Sequence, residues 1–406
     1  MSKGKVEKKK ILWISDAVAT TGFARVAHSI ITKLPRTKYD VHQLGVNYMG
    51  DPHEFNYSIY PALIGGDVYG VNRLESMIKG IKPDLIFILN DPWIIDIYLK
   101  ELIAKKLTDI PVVVYFPVDA REHNPEWFKQ FHLVYKTCVY TQFAKKVMMD
   151  TGVFTDENDI EVVPHGVDLS RFYPIKDRDK ISGREMAVRE LLPWKQDPTF
   201  LNSFIVLNAN RNQPRKRIDL TLRAFAEFSK DKPNNTRLYC HMGVTDAGNN
   251  ILVLAKRYGI DNKLILSAKT NIIPGVSDDR LNMIYNACDV GINTSMGEGW
   301  GLTNFEHAAT KRTQIVPRHS ACEEIWKDSA IFIETIADFT YDRIDTLARI
   351  PDFNSIVASL EAAYEMWSGG TLKEYDEKAY EVVTRPEYNW KNIARTFDEV
   401  FTKVLT

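Results

Sequence analysis

The chain has 406 residues and 45% hydrophobic content, enough to bury a large core and too long for one typical domain, so two domains are expected. Its 52 Lys and Arg against 53 Asp and Glu give a formal charge of −1, which excludes a chain-wide basic surface and leaves room only for a local one. The four cysteines (Cys138, Cys240, Cys288, Cys322) are too scattered for a zinc site or a disulfide framework. No stretch approaches the ~18 consecutive apolar residues of a membrane span. The charged N-terminal run "MSKGKVEKKK" lacks the apolar core of a secretory signal and reads as a solvated tail. A cytoplasmic chain without stable membrane insertion is expected.

In chain order, apolar runs at 11–15 ("ILWIS"), 41–46, 84–90, 111–116 and 133–140 alternate with helical stretches such as "ARVAHSIITKL" and "WIIDIYLKELIAKKL". Strands that recur between helices imply right-handed crossovers and a mostly parallel sheet covered on both faces. A second series of runs, at 204–210, 236–243, 263–268, 289–295 and 313–317, repeats the pattern. The expected fold class is therefore α/β, with two doubly wound Rossmann-like domains. Segment 173–200 is rich in charge, has no strand signal and reads as a linker between domains spanning 1–172 and 201–387. Ligands of open parallel sheets bind outside the carboxyl ends of the strands, so two such domains facing each other are expected to enclose a central cleft lined by strand-to-helix loops.

Three of those loops carry chemistry. After the first strand, "DAVATTGFARVAHSI" offers Thr20 or Thr21 as a helix cap, and Gly22 permits close backbone approach. A phosphate site and a plain tight turn both fit, and the absence of G-x-G-x-x-G argues against a nicotinamide dehydrogenase. After "FIVLNAN", the residues Arg211, Arg215, Lys216 and Arg217 crowd a helix start, an unfavourable placement unless an anion neutralises them. At the end of "DVGINTS" comes "EGWGLTNFE" (298–306), where Gly297, Gly299 and Gly301 let the main chain pass close to a ligand. Its carboxylates, Glu298 and Glu306, can accept hydrogen bonds from vicinal hydroxyls. A capping box, with Thr303 as cap and Glu306 reaching back, is the alternative for this stretch. Cations in one loop and two carboxylates in another match a diphosphate with a sugar at each end, the layout of a nucleotide sugar.

At these residues the sequence resembles the retaining glycosyltransferases of family four, which have the GT-B fold. In "RNQPRK", Arg211 and Lys216 reproduce that family's spacing, and "EGWGLTNFE" reproduces its paired-glutamate motif. The resemblance assigns Arg211 and Lys216 to the donor diphosphate, Glu298 to the transferred sugar and Glu306 to the ribose. Backbone N–H groups around Gly301, Leu302 and Thr303 would help hold sugar and phosphate. "VVPHGVDLSRFYP" (162–174) resembles the stretch that closes the first domain, with His165 where asparagine is more usual. "YNWKNIARTFDEVF" (388–401) resembles the last helix, which crosses back onto the first domain. There are departures too. "TTGFAR" carries only Gly22 of the usual glycine pair. "YFPVDAREH" offers Asp119 for the donor sugar where a histidine is common, and His123 is not given that role. "RHSACEE" replaces Gly-Gly-x-Pro-Glu, with Glu324 as the candidate for that motif's acid.

The resemblance implies transfer with retention, by front-face substitution in which the leaving diphosphate helps deprotonate the acceptor. Arg211 and Lys216 then stabilise the developing charge, and Lys216→Ala is expected to lower turnover by orders of magnitude while leaving the fold intact. The one Asp-x-Asp triplet, "DRD" (177–179), reads as a solvated charge run, and no obligatory metal or other cofactor is expected. A UDP-sugar is the favoured donor, with a GDP-sugar next. The acceptor is open: saccharide, small molecule, protein or, as in viral enzymes that glycosylate modified bases, DNA. The aromatic-rich stretch 47–70 reads as a loop or an acceptor surface. A non-catalytic nucleotide-sugar-binding protein and a related cleft enzyme, such as a phosphorylase or epimerase, are the competing readings.

Overall fold

A computed structural model describes all residues except 1–6, 194, 273 and 343. Most of the N-terminal charged run thus lies outside the described residues. The chain divides into two compact units. One comprises Met1–Gly166, the short stretch 343–346 and Glu387–Thr406, and the other comprises Val167–Asp342 and Leu347–Pro386.

In the first unit, β1 (Lys9–Asp16), β2 (Tyr39–Val46), β3 (Ser58–Pro61), β4 (Leu85–Leu89), β5 (Val112–Phe116), β6 (Val134–Val139) and β7 (Ile160–Val162) form one sheet. Its order is β3-β2-β1-β4-β5-β6-β7 and every pairing is parallel. The central strands β4 and β5 are buried at every position because their runs of apolar residues serve both faces of a covered sheet. The two edge strands were not expected. β3 lies inside 47–70, where the sequence suggested a loop, and its half-exposed Ser-Ile-Tyr-Pro carries no apolar alternation. The helix Trp390–Leu405 belongs to this unit and buries Trp390, Ile393, Ala394, Phe397 and Phe401, a stripe at helical spacing. Phe397 and Phe401 meet the Phe87 ring edge-on, with centroids 5.3 and 5.5 Å away.

The second unit holds β8 (Phe204–Asn208), β9 (Thr236–Cys240), β10 (Leu264–Leu266), β11 (Val290–Ile292), β12 (Thr313–Pro317) and β13 (Ile331–Ile333), in the order β10-β9-β8-β11-β12-β13 and again all parallel. β13 was not expected, nor was the antiparallel hairpin Thr335–Thr340 with Leu347–Pro351.

Segment 173–200, expected as a linker, is folded onto this second unit. Its helix Gly183–Leu191 is capped by the Ser182 hydroxyl, which accepts from Glu185 N at 3.1 Å. Arg184 clamps Asp289 through Nε to Oδ1 at 2.6 Å and Nη2 to Oδ2 at 2.8 Å. Asn282 and Asn286 accept from the backbone N–H groups of Tyr173 and Ile175. Within the "DRD" triplet, Asp177 accepts from Gly183 N at 2.9 Å, and Asp179 pairs with Arg178 in an exposed ion pair. The charges that suggested a solvated run therefore include the partners of polar groups in the second unit.

One acid in this unit makes stability pH-dependent. Burial pushes the Asp376 carboxyl up to about 6, although hydrogen bonds from Thr313 and the Arg312 charge pull it down. The unfolded value is about 3.9. The folded chain therefore holds an extra proton between roughly pH 4 and 6, and stability falls as pH rises through that window. Both Thr313 donors reach the same oxygen, Oδ1, which an amide can replace. Asp376→Asn should gain about 2 kcal/mol relative to the wild type between pH 4 and pH 7, after discounting for partial exposure. Denaturant melts at the two pH values measure this, and a pH-independent difference would refute it.

Candidate active site

The loop after β8 turns through Pro214–Lys216 and enters the helix Ile218–Phe228 at Arg217, whose φ is 48°. The crowded cations are matched within the protein. Arg211 forks onto Asp246 at 2.7 and 3.1 Å while staying 51% exposed. Arg217 pairs with Asp219 of its own helix at 2.9 Å. Arg215 donates to the Gly297 carbonyl at 2.7 Å and approaches Glu298 Oε2 at 3.9 Å. Lys216, only 7% exposed, donates through Nζ to Glu298 Oε1. The anion expected to come from a ligand is thus supplied, in this structure, by carboxylates.

"EGWGLTNFE" leaves the end of β11. Gly301 has φ 89° and is the residue from which the helix Leu302–Ala308 starts, with no side chain capping it. A Cβ at Gly301 would have room, its nearest neighbour being Asn304 Oδ1 at 3.9 Å, so the glycine is required by the left-handed backbone. The capping box is therefore corrected: Thr303 is the second residue of the helix, not its cap. Glu306 accepts from the Tyr285 hydroxyl at 3.0 Å and is 5% exposed. Gly299 is buried, and Leu302 and Thr303 are half-buried at the helix start.

Glu298 is 3% exposed. Burial alone would raise its carboxyl, but Lys216 and Arg215, with hydrogen bonds from Lys216 and Asn293, hold it below the usual range. Burial lowers the Lys216 ammonium, with Arg215 adding to that, while Glu298 opposes both. Removing one member of a buried pair costs stability, so Lys216→Ala is expected to destabilise the chain as well as to slow transfer.

Gly22 and Asp119 lie in the first unit. Gly22 opens the helix Gly22–Ile31, and Thr21 is its cap, accepting from Ala24 N at 3.2 Å. The same hydroxyl donates to Asp16 Oδ2 at 2.6 Å, so the buried Asp16 at the end of β1 organises this turn. Asp119 follows β5 and is half-buried. Its charge supports protonation of His123, but burial dominates and draws that imidazole down to about 4.

Several residues beside these were missed. Asp246 follows β9 between two glycine-containing stretches, and the rule that strand-end loops carry function would have found it. Asn293 donates to Glu298 Oε1 at 2.9 Å. Ser320, from "RHSACEE", accepts from the Glu298 backbone N–H at 3.2 Å, and His319 bonds both Ser320 Oγ and the Ser295 carbonyl at 3.0 Å. Glu324 sits half-buried on the helix that Ser320 opens. Arg215 carries a sequence signal, being one of the crowded cations, but not the family spacing.

No family model matches the chain. In sequence it is 31% identical over 159 residues, 38% of its length, to a D-inositol 3-phosphate glycosyltransferase of Rhodococcus opacus (strain B4). It is 24% identical over 197 residues, 46% of its length, to a mannosylfructose-phosphate synthase of Agrobacterium fabrum. The matches span 31% and 39% of those relatives' own lengths. Among solved structures, the Anabaena protein HepE in complex with UDP-glucose superposes with a TM-score of 0.68 at 14% identity, over 97% of this chain and 99% of that one. Sucrose-phosphate synthase from Thermosynechococcus elongatus superposes with 0.69 at 13% identity, over 98% and 99%. At such identities the superpositions speak for the fold. The chain accordingly has the GT-B fold, and glycosyltransferases stand among its sequence relatives, in keeping with its resemblance to family four.

Proposed function

We propose that the chain is a retaining glycosyltransferase that moves a sugar from a nucleotide-diphosphate sugar to a hydroxyl acceptor. The observation that carries this is the meeting of Lys216 and Arg215 with Glu298 at the carboxyl ends of β8 and β11, with Arg211 on the same loop. When the donor enters, the Lys216 ammonium exchanges Glu298 for a diphosphate oxygen, and the released carboxylate accepts from hydroxyls of the transferred sugar. Glu306 takes the ribose hydroxyls. The bond from the anomeric carbon to the diphosphate breaks as the bond to the acceptor oxygen forms on the same face. The acceptor proton passes to the departing diphosphate. Arg211, Arg215 and Lys216 stabilise the charge that accumulates there, so no divalent metal is assigned an obligatory role.

UDP is placed first among nucleotides because the Anabaena structure of the same fold holds UDP-glucose. The four cysteines are buried free thiols, which suits a reducing cytoplasm. Among the described residues, no helix is long and apolar enough to cross a membrane. The formal charge of −1 gives no support to DNA as acceptor.

Thermal denaturation with UDP-, GDP- and ADP-sugars tests the donor class. A donor at 100 times its dissociation constant stabilises the native state by ~2.7 kcal/mol. The expected result is stabilisation by UDP-sugars, together with slow donor hydrolysis in the absence of acceptor. Stabilisation without hydrolysis or transfer would favour a binding protein, and no stabilisation by any nucleotide sugar would overturn the reading.

A further inference from the structure

Glu298 has a second donor besides Lys216, and that donor begins a chain of buried hydrogen bonds. Asn293, just past β11, spends both amide hydrogens, on Glu298 Oε1 at 2.9 Å and on Asn304 Oδ1 at 3.1 Å, while its Oδ1 accepts from Ser295 N at 2.9 Å. Asn304 Nδ2 donates to Gln314 Oε1 at 2.9 Å. Gln314 Nε2 donates to His307 Nδ1 at 3.2 Å and to the Arg312 carbonyl at 2.8 Å. His307 Nε2 meets the Tyr285 carbonyl at 3.1 Å, and the Tyr285 hydroxyl donates to Glu306. All of these residues are buried except Arg312, which is half-buried and contributes only its carbonyl.

We propose that Asn293, Asn304, Gln314 and His307 form a relay that positions Glu298 and the helix turn bearing Glu306 as a single unit, with Asn293 the positioning residue that acts on Glu298. The inference rests on the reading that Glu298 meets the transferred sugar. The direction of the relay is fixed by its ends. A carbonyl faces His307 Nε2, so that nitrogen carries the proton and Nδ1 must accept. Burial draws the imidazole down to about 3 and keeps it neutral. Each amide orientation then follows from its neighbour. Space for the relay comes from Gly291, the cross-strand partner of Gln314, where a Cβ would lie 2.4 Å from Gln314 Oε1 and 2.6 Å from His307 Nδ1.

The relay matters most when a donor is bound. Lys216, drawn to the diphosphate, no longer holds Glu298, and the Asn293 amide remains as a direct hydrogen-bond donor that keeps the carboxylate aimed, with Arg215 further off at 3.9 Å. The role predicts a loss confined to the sugar end of the donor. UDP and UDP-glucose serve as probes, with Asn293→Ala and the near-isosteric Asn293→Asp as variants, and with Asn304→Leu as a third that leaves the Glu298 contact itself in place. The wild type is expected to bind UDP-glucose more tightly than UDP. The Asn293 variants should keep the affinity for UDP within about threefold, lose about tenfold or more for UDP-glucose and transfer at least a hundredfold more slowly. Asn304→Leu should shift the same ratio by less. A merely structural role would weaken both ligands together, and unchanged discrimination in the folded variants would overturn the proposal. Should Asn293→Ala fail to fold, Asn293→Asp and Asn304→Leu still decide. A wild type that binds neither probe would instead refute the functional reading itself.

Discussion

Lys216→Ala is expected to lose about 3 kcal/mol of stability and to transfer sugar some 100- to 1000-fold more slowly. The stability loss follows from what the substitution leaves behind. Glu298 is buried, and without the ammonium it faces Arg215 at 3.9 Å and the Asn293 amide as the named partners of its carboxylate. Those partners place the cost at the low end of the ~3–5 kcal/mol seen when one member of a buried pair is removed. A second variant separates the two effects. Lys216→Met with Glu298→Gln removes both charges together, and its stability is expected to return to within about 1 kcal/mol of the wild type while transfer stays at least as slow as in Lys216→Ala. Urea melts of the wild type, Lys216→Met, Glu298→Gln and the double variant supply the cycle, with Lys216→Ala measured beside them. A Lys216→Ala midpoint equal to that of the wild type would mean that the pair is not buried in solution.

The second large effect is expected at Arg184. Arg184→Ala should cost about 3 kcal/mol and open segment 173–200 to trypsin, because the guanidinium is the clamp between that segment and the sheet. Its partner Asp289 also accepts from Ile205 N at 2.8 Å, so the carboxylate sits against β8 and cannot move out to water. Arg184→Lys should restore only part of the loss, since an ammonium cannot make the two parallel bonds of the fork. Lys176, Arg178 and Lys180 offer cleavage sites within the segment. A cleavage rate unchanged from the wild type would show that other contacts hold the segment.

What the sequence made legible was set by burial. Runs such as Leu85–Leu89 and Phe204–Asn208 are apolar at nearly every position because the sheet covers both of their faces, and they stand out against any background. The edge strands β3, β7 and β13 are three or four residues long and only partly buried, so they carry no comparable pattern. In the site, the spacing of Arg211 and Lys216 and of Glu298 and Glu306 was visible as types of charge. Their partners were not. Asp246 and Asn293 come from other loops and meet the cations and the carboxylate only once the sheet is assembled. The helix start at Gly301 instead of Thr303 depends on one backbone angle, which a Thr-x-x-Glu spacing cannot reveal.

The first unit is discontinuous, and this orders events during synthesis. All of the second unit lies between residues 167 and 386, so it is polymerised before the helix Trp390–Leu405 that completes the first. Until that helix arrives, Phe87 and the Tyr39 hydroxyl, which donates to Asp398 at 2.8 Å, lack their covering partners. The domain translated first is therefore the one that finishes last, and a pause late in translation would leave its apolar seat open to association with neighbouring chains.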